Sequence, residues 1–194
     1  GIRNLGNDII QRKEALRGHI FLTHPHWDHL QGFGFFKPFY HPDGHFNLHL
    51  TSQPGLSCNE ILQGHFSNTF FPVTLDMLSA EMKCKSIEEG VYDFGDFVVE
   101  MMWGRHTIPT GIFKVIIEDK VIVYAPDNEL PHDNSENSKT FIEKFQSFIH
   151  GADVLIHDAQ YNLEEYKQRE GWGHTNWEKL IAVSYTHLTL PTTS

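Results

Sequence analysis

The chain has 194 residues, of which 40% are hydrophobic and 21% charged, and its formal net charge is −10. This length suits one folded domain with a sizeable core. The acidic excess argues against sequence-independent binding of long polyanions, which relies on clustered Lys and Arg. No apolar run approaches the ~20 residues of a membrane span. We therefore expect a globular domain and no membrane partner.

The first predicted element is a helix over residues 5–17, whose apolar residues recur at helical spacing before Gly18. A strand over residues 19–23 leads into the segment THPHWDHLQGF, residues 23–33. The next stretch, residues 30–46, is rich in glycine, proline and aromatic residues and predicts a short helix and a loop. Its aromatic residues could line a substrate entrance or pack beneath the loop.

The rest of the chain mixes strands and helices. Alternating apolar residues predict strands over residues 45–51, 96–103, 111–119 and 120–126, the last two joined by a tight turn at Asp119 and Lys120. A helix, a buried strand and two further helices are predicted over residues 138–149, 152–159, 162–170 and 176–184. This mixture indicates an α/β or α+β layered domain.

The two cysteines, Cys58 and Cys84, lie far apart and outside any C-x-x-C pattern. We therefore expect neither a disulfide framework nor a thiolate metal site, and we interpret both as packing residues. The first residues show no basic segment leading into an apolar one. No secretory signal is visible, which favours the cytoplasm.

The segment THPHWDHLQGF places His24, His26, Asp28 and His29 within six positions, directly after a strand. Neutral imidazole and carboxylate are ligands of Zn²⁺ and similar ions. An irregular turn lets His24 and His26 point at one ion, and Asp28 and His29 at a second ion beside it. Each residue alone is explained by an ordinary hydrogen bond, but the H-x-H-x-D-H pattern as a set indicates a metal site.

THPHWDHLQGF resembles the signature of the metallo-β-lactamase fold hydrolases, and its Trp27 and LQGF are similar to the phosphodiesterase and tRNase Z-like branch. Three further stretches resemble this family: GIRNLG, RHTIPTGIFKVIIEDKVIVYAPDNE and GADVLIHDAQYNLEEYKQREGWGHTNWE. The likeness covers most of residues 1–180. It implies an αββα sandwich of the α/β (α+β layered) class over residues 1–183.

The resemblance implies two divalent metal ions with histidine and aspartate ligands. The implied ligands are His24, His26 and His106 on one ion, Asp28 and His29 on the other, and Asp127 bridging both. His106 and Asp127 each follow a predicted strand, where an α/β domain supplies its active groups. Taken alone, they would be a surface-loop histidine and a turn residue. Zn²⁺ is the expected ion, with Mn²⁺ or Fe²⁺ as alternatives.

A different role is implied for His174 in GWGHTNWE, which resembles a proton donor rather than a metal ligand. Asp158 in IHDA would orient its imidazole. A phosphodiester leaving group departs as an alkoxide and benefits from such an acid. The alternative is that His174 merely enters a helix that Thr175 or Asn176 caps. We interpret His157, in the buried strand, as a hydrogen-bonded core residue.

The chain departs from the family pattern at both ends. The family's first strands and their D-x-G-x-G turn would precede GIRNLG, and a last histidine for the second ion would stand where residues 184–194 read SYTHLTLPTTS. These residues resemble a translated sequencing-adapter read-through, so we expect a non-native tail whose His187 does not replace that ligand. The second metal site would be weakened, and the chain would hold one ion better than two.

The implied function is hydrolysis of a small or cyclic nucleotide-type phosphodiester by a hydroxide that two metal ions activate. Asp28, Asp158 and His174 would be the catalytic residues. The alternatives are a tRNase Z-like endoribonuclease, a lactam, lactone or thioester hydrolase, and an inactive metal-binding fragment. RNA is not favoured as a partner, because no Lys/Arg-rich insertion is visible in the sequence. A homodimer remains open.

Overall fold

The computed structural model describes residues 1–185. The chain divides into two compact units, the first from Gly1 to Ile87 and the second from Glu88 onward. His187 and the rest of the expected tail beyond residue 185 lie outside the described residues, so the domain limit at residue 183 and the tail stay predictions. Among residues 1–185, none of the helices has the length and apolar character needed to cross a membrane.

The first unit contains a three-stranded parallel sheet in the order β1–β2–β3, formed by Arg17–Leu22, His45–Thr51 and Glu81–Ile87. Its helices are α1 (Ile2–Arg12), α2 (Trp27–Leu30) and α3 (Cys58–His65), with short 3₁₀ turns at Phe33–Phe35, Lys37–Tyr40 and Leu75–Met77. Because side chains alternate across a strand, one face of β2 supplies three buried core residues, Phe46, Leu48 and Leu50.

Most of the aromatic stretch after α2 packs in this core. Phe33, Phe36 and Phe39 are buried, and Phe36 and Phe39 meet Phe46 edge to face, with ring centroids 5.5 and 5.4 Å away. Packing therefore explains these residues better than a substrate entrance does. Phe35 differs, because 54% of its surface is exposed.

The helix predicted over residues 5–17 forms instead over Ile2–Arg12. Lys13 ends it by adopting a left-handed conformation with φ 56°, and its N–H donates to the carbonyl of Ile10. Leu16 suggested a longer helix because it lies at helical spacing. Its carbonyl instead accepts the N–H of His45 at 2.8 Å, beside the start of β1.

The expectation that no disulfide forms was wrong, because Cys58 and Cys84 are bonded to each other with their Cα atoms 5.7 Å apart. Cys58 begins α3 and Cys84 lies in β3, 26 positions later. Spacing along the chain does not show that a helix and a strand pack together. The bond is therefore visible only in three dimensions.

The second unit contains a five-stranded sheet in the order β4–β5–β6–β7–β8, formed by Gly90–Asp93, Phe97–Trp103, Gly111–Ile117, Lys120–Ala125 and Val154–His157. Its helices are α4 (Glu136–Ile149), α5 (Leu163–Tyr166) and α6 (Trp177–Ser184). The turn between β6 and β7 lies at Glu118 and Asp119, one residue earlier than predicted, with φ 52° at Glu118. The two mixed units confirm the predicted α/β class.

The strand directions of the second unit bring predicted site residues to one edge. Neighbouring strands from β4 to β7 are antiparallel, whereas β7 and β8 are parallel. The strands β5, β7 and β8 consequently run in the same direction, and their carboxyl ends lie at the same edge. His106, Asp127 and Asp158 each follow one of these ends within three residues.

Candidate active site

In the first unit, a buried turn after β1 carries the first predicted ligands. The Thr51 hydroxyl donates to the carbonyl of Leu22 at 3.2 Å and fixes the end of β1 to β2. Thr23 and His24 follow and are both buried. Nδ1 of His24 shares a hydrogen bond with the Thr23 hydroxyl at 3.1 Å. The ring of His24 is therefore held in a defined orientation.

Two of the other three predicted ligands of this segment lie beside His24, and the third, Asp28, contacts His29. The ring centroids of His26 and His29 lie 4.5 and 4.2 Å from that of His24. Nε2 of His29 is 3.4 Å from a carboxylate oxygen of Asp28, whose side chain is 79% exposed. His26 has an extended backbone and precedes α2, whose single turn carries Asp28 and His29. We call these four residues the His24 cluster.

The second unit carries the other two predicted ligands, His106 and Asp127. The His106 side chain is only 4% exposed, and its Nε2 lies 3.9 Å from a carboxylate oxygen of Asp127. The carbonyl of Gly173 accepts a hydrogen bond from Nδ1 of His106 at 3.0 Å. Since a carbonyl only accepts, Nδ1 carries a proton, and in the neutral ring the lone pair is then on Nε2.

Gly173 fits against the ring of His106 because it has no side chain. Its φ is +85°, a value that favours glycine, and a Cβ there would lie 2.9 Å from Cα and 3.0 Å from Cγ of His106, and closer still to Nδ1. Gly171 has nearly the same φ, +84°, but a Cβ there would meet nothing within 4 Å. Of these two glycines, Gly173 alone is required by close packing as well as by backbone conformation.

The predicted contact between His174 and Asp158 is present. Nδ1 of His174 donates to one oxygen of Asp158 at 2.7 Å, and the N–H of Thr175 donates to the other at 3.0 Å. Asp127, Asp158 and His174 each offer one atom that could bind a metal ion, and these three atoms all lie within 4.8 Å of one another. We call His106, Asp127, Asp158 and His174 the His106 cluster. The roles assigned to its members stay predictions.

The structure shows which of the two candidate residues caps α6. Asn176 caps α6, because its side chain accepts the N–H of Lys179 at 2.9 Å. Thr175 does not cap the helix, since its hydroxyl donates to the carbonyl of Asn128 at 2.6 Å and accepts from the N–H of Leu130 at 2.8 Å. The capping of α6 therefore leaves the contact of His174 with Asp158 intact.

His157 is a hydrogen-bonded buried residue, as the sequence predicted. Its Nδ1 donates to the carbonyl of Asp158 at 2.7 Å, and its Nε2 accepts from the Asn128 amide at 3.0 Å. Burial lowers the pKa of His157 below its usual value. The ring is thus a neutral spacer that fixes the backbone of Asp158 relative to Asn128.

Two buried residues after Asp127 were not predicted from the sequence. The amide oxygen of Asn128 accepts the N–H of Arg105 at 2.9 Å and so fixes the backbone before His106. The N–H of Glu129 donates to the carbonyl of Arg105 at 2.7 Å. The sequence offers only a weak signal for them, two polar residues directly after a strand end.

No family model and no curated protein matches the chain. Solved structures do match, and one is the metallo-β-lactamase fold protein YhfI from Bacillus subtilis, with a TM-score of 0.62 and 14% identity over 93% of this chain. The chain has the metallo-β-lactamase fold. The fold that THPHWDHLQGF predicted is thereby confirmed.

Two other solved structures are similar at low identity. The short form of human tRNase Z gives a TM-score of 0.63 with 16% identity, over 88% of this chain and 71% of that protein. Unliganded yeast PDE1 gives 0.62 with 20% identity, over 86% of this chain and 50% of that protein. The chain spans 63% of the length of YhfI. At these identities the likeness establishes the fold alone.

Proposed function

We propose that this chain is a metal-dependent hydrolase whose substrate is a small phosphodiester. The proposal assigns the metal-ligand role to the six residues predicted from the sequence: His24, His26, Asp28, His29, His106 and Asp127. Zn²⁺ is the proposed ion, with Mn²⁺ and Fe²⁺ as alternatives that such donors also bind. Metal analysis of the purified chain measures the number and the identity of the ions.

The orientation of two histidines fits this assignment. Metal-binding histidines usually engage their second ring nitrogen with a carbonyl, carboxylate or water. Nδ1 of His106 does so with the carbonyl of Gly173, and Nδ1 of His24 does so with the hydroxyl of Thr23. In each case Nε2 is the nitrogen that would bind an ion. Bound divalent ions would supply an activated water and neutralise phosphoryl oxygens.

The pairing of His174 with Asp158 is the observation that carries the choice of a phosphodiester. The carboxylate accepts from Nδ1 at 2.7 Å, so it fixes the tautomer and stabilises the protonated ring. A proton passed to a substrate would then leave from Nε2. Such an acid is most useful when the leaving group is an alkoxide, as in phosphodiester cleavage. His174 is thus the proposed general acid, and Asp158 holds it in place.

An aromatic cavity beside α2 suggests which small phosphodiesters would bind. Its volume is about 210 Å³, and it is lined by Trp27, Gln31, Phe35, Gly64, His65, Phe70 and Phe71. The rings of Trp27 and Phe70 lie 5.9 Å apart, and both are more than half exposed. Trp27 directly precedes Asp28 of the His24 cluster. We propose that this cavity stacks the base of a nucleotide-type substrate.

A tRNase Z-like endoribonuclease is the second candidate, since the chain is similar to human tRNase Z. The net charge of −10 favours the small substrate over RNA, because a long polyanion is held by clustered basic residues. Comparing cleavage of a cyclic or dinucleotide phosphodiester with cleavage of a precursor tRNA separates the two candidates. A preference for the tRNA would contradict our proposal.

The decisive experiment compares leaving groups in the zinc-loaded protein and in His174→Ala. We expect the variant to lose about 10²- to 10⁴-fold in turnover of a phosphodiester with an alkyl leaving group. The loss should be much smaller with a p-nitrophenyl leaving group, because that group departs without a proton. Zinc content should not change. The variant His45→Ala, which removes an exposed histidine of the first unit, serves as the control.

Other outcomes would contradict the assignment. Loss of zinc in His174→Ala would make His174 a ligand, and equal losses with both leaving groups would exclude it as the acid. Preferred cleavage of a β-lactam or a thioester would indicate a different hydrolase. Zinc binding without cleavage of any of these compounds would identify an inactive metal-binding protein.

A further inference from the structure

Glu129 is a buried carboxylate that bonds a single loop of the second unit. It is 6% exposed and follows Asp127 by two residues. One carboxylate oxygen accepts the N–H of Gly171 at 2.9 Å and the hydroxyl of Tyr166 at 2.7 Å. The other oxygen accepts the N–H of Gly173 at 2.9 Å. Hydrogen bonds to an ionised acceptor are roughly twice as strong as neutral ones.

The loop that Glu129 holds contains two glycines in the left-handed region. Gly171 and Gly173 both have positive φ, and the N–H groups of both point at the same carboxylate. Burying such a group without a partner is unfavourable, because the group loses its hydrogen bond to water. Burial, together with the hydrogen bond to Glu129, raises the pKa of Tyr166, so its hydroxyl remains a donor. Glu129 therefore holds the loop at both glycines.

The same loop orients two members of the His106 cluster. The carbonyl of Gly173 accepts from Nδ1 of His106, and the next residue, His174, donates to Asp158. We propose that Glu129 is a positioning residue, which fixes Gly173 so that its carbonyl directs Nε2 of His106 towards a metal ion. This inference rests on the proposed metal site. It adds a residue that the sequence resemblance does not assign.

The variant Glu129→Gln tests this role, because the amide offers only one acceptor oxygen and turns an N–H₂ towards a loop N–H. The control is Tyr166→Phe, which removes one hydrogen bond from the same carboxylate but leaves both glycine bonds. Zinc affinity of the full chain is measured by competition with a chromophoric chelator. We expect Glu129→Gln to bind zinc about 10- to 100-fold more weakly and Tyr166→Phe to bind it like the parent.

A second measurement does not need zinc. The ¹⁵N shifts of the His106 ring in the metal-free protein should show the Nδ1-protonated tautomer in the parent and in Tyr166→Phe, and a mixture in Glu129→Gln. If the parent binds no zinc, the proposed function fails, whereas these shifts still decide the positioning role. Parent-like shifts in Glu129→Gln, or equal zinc affinity in all three proteins, would overturn the inference.

A third variant covers the case in which Glu129→Gln does not fold. Glu129→Asp keeps the charge but is shorter by one methylene, so it cannot reach both glycine N–H groups at once. We expect its zinc affinity to fall about tenfold, in the lower part of the range for lost outer-sphere contacts. Parent-like affinity of a folded Glu129→Asp protein would likewise overturn the inference.

Discussion

Replacing Gly173 by alanine should weaken zinc binding, whereas the same change at Gly171 should not. Both residues have φ near +85°, where an alanine costs about 1–2 kcal/mol. A Cβ at position 171 meets nothing within 4 Å. A Cβ at position 173 would lie 2.9 Å from Cα of His106, when ordinary carbon contacts are about 3.5–4.0 Å. His106 must therefore move by more than about half an ångström.

This displacement breaks the hydrogen bond from Nδ1 of His106 to the carbonyl of Gly173, which is worth about 1 kcal/mol. We expect Gly171→Ala to lower the free energy of unfolding by about 1–2 kcal/mol and Gly173→Ala by about 2–3 kcal/mol. Zinc affinity should fall about 10- to 100-fold in Gly173→Ala alone. Urea unfolding and chelator competition measure the two effects. Equal zinc affinities in the two variants would refute the reasoning.

The first unit offers three further tests. Burial lowers the pKa of His49 to about 4. As the pH falls, the unfolded chain therefore takes up a proton before the folded chain does, and the free energy of unfolding should fall by on the order of 2 kcal/mol between about pH 6.5 and pH 4. The variant His49→Gln should lose this pH dependence. Reducing the disulfide between Cys58 and Cys84 should lower the free energy of unfolding, measured in urea, by about 2–4 kcal/mol. An unchanged free energy of unfolding would contradict the presence of this disulfide. Phe70→Ala should raise KM for a nucleotide phosphodiester about tenfold and leave kcat unchanged, because stacking of a base on an aromatic ring contributes about 1–3 kcal/mol to binding. The control is Leu56→Ala, which removes another exposed apolar side chain of the first unit.

Strands with regular alternation were predicted well from the sequence, because one buried face repeats every second residue. The prediction for β2 matches its observed bounds, His45–Thr51, and those for β5 to β7 differ by one or two residues. The strand β3 was missed although residues 81–87 alternate in burial. Its buried side carries few large apolar residues, and its pairing with β2 joins segments more than 30 residues apart.

Helices were harder to place, for two different physical reasons. The predicted first helix was wrong at both ends, because Leu16 has helical spacing but belongs to the approach to β1. The helix α3 was missed although the sequence contains its signal. Ser57 accepts the N–H of Glu60, and the Glu60 carboxylate accepts the N–H of Ser57, which is a capping box. The spacing of Ser57 and Glu60 in the sequence is therefore sufficient to predict where α3 begins.

The residues of the candidate site differ in the same way, because some have a signal in the nearby sequence and others depend on contacts with residues far along the chain. The positions of His106 and Asp127 were predicted from the sequence, because each follows a strand whose carboxyl end lies at one edge of the sheet, and their role as ligands stays a prediction. Glu129 has no comparable signal. Its three donors lie 37 to 44 residues later in the chain and are two backbone groups and a phenol. A backbone N–H carries no residue identity, so no sequence pattern could have revealed the pairing.

The parallel pairing of β7 and β8 explains why two acidic residues can share one loop. Asp158 follows β8 and Glu129 follows β7, so both leave the sheet at adjacent carboxyl ends. Glu129 uses both oxygens on the N–H groups before His174, and Asp158 uses both on His174 and Thr175. One loop is thus bonded on either side of His174. A change in either carboxylate should consequently disturb both histidines of the His106 cluster, because His106 is bonded to Gly173 of this loop and His174 belongs to it.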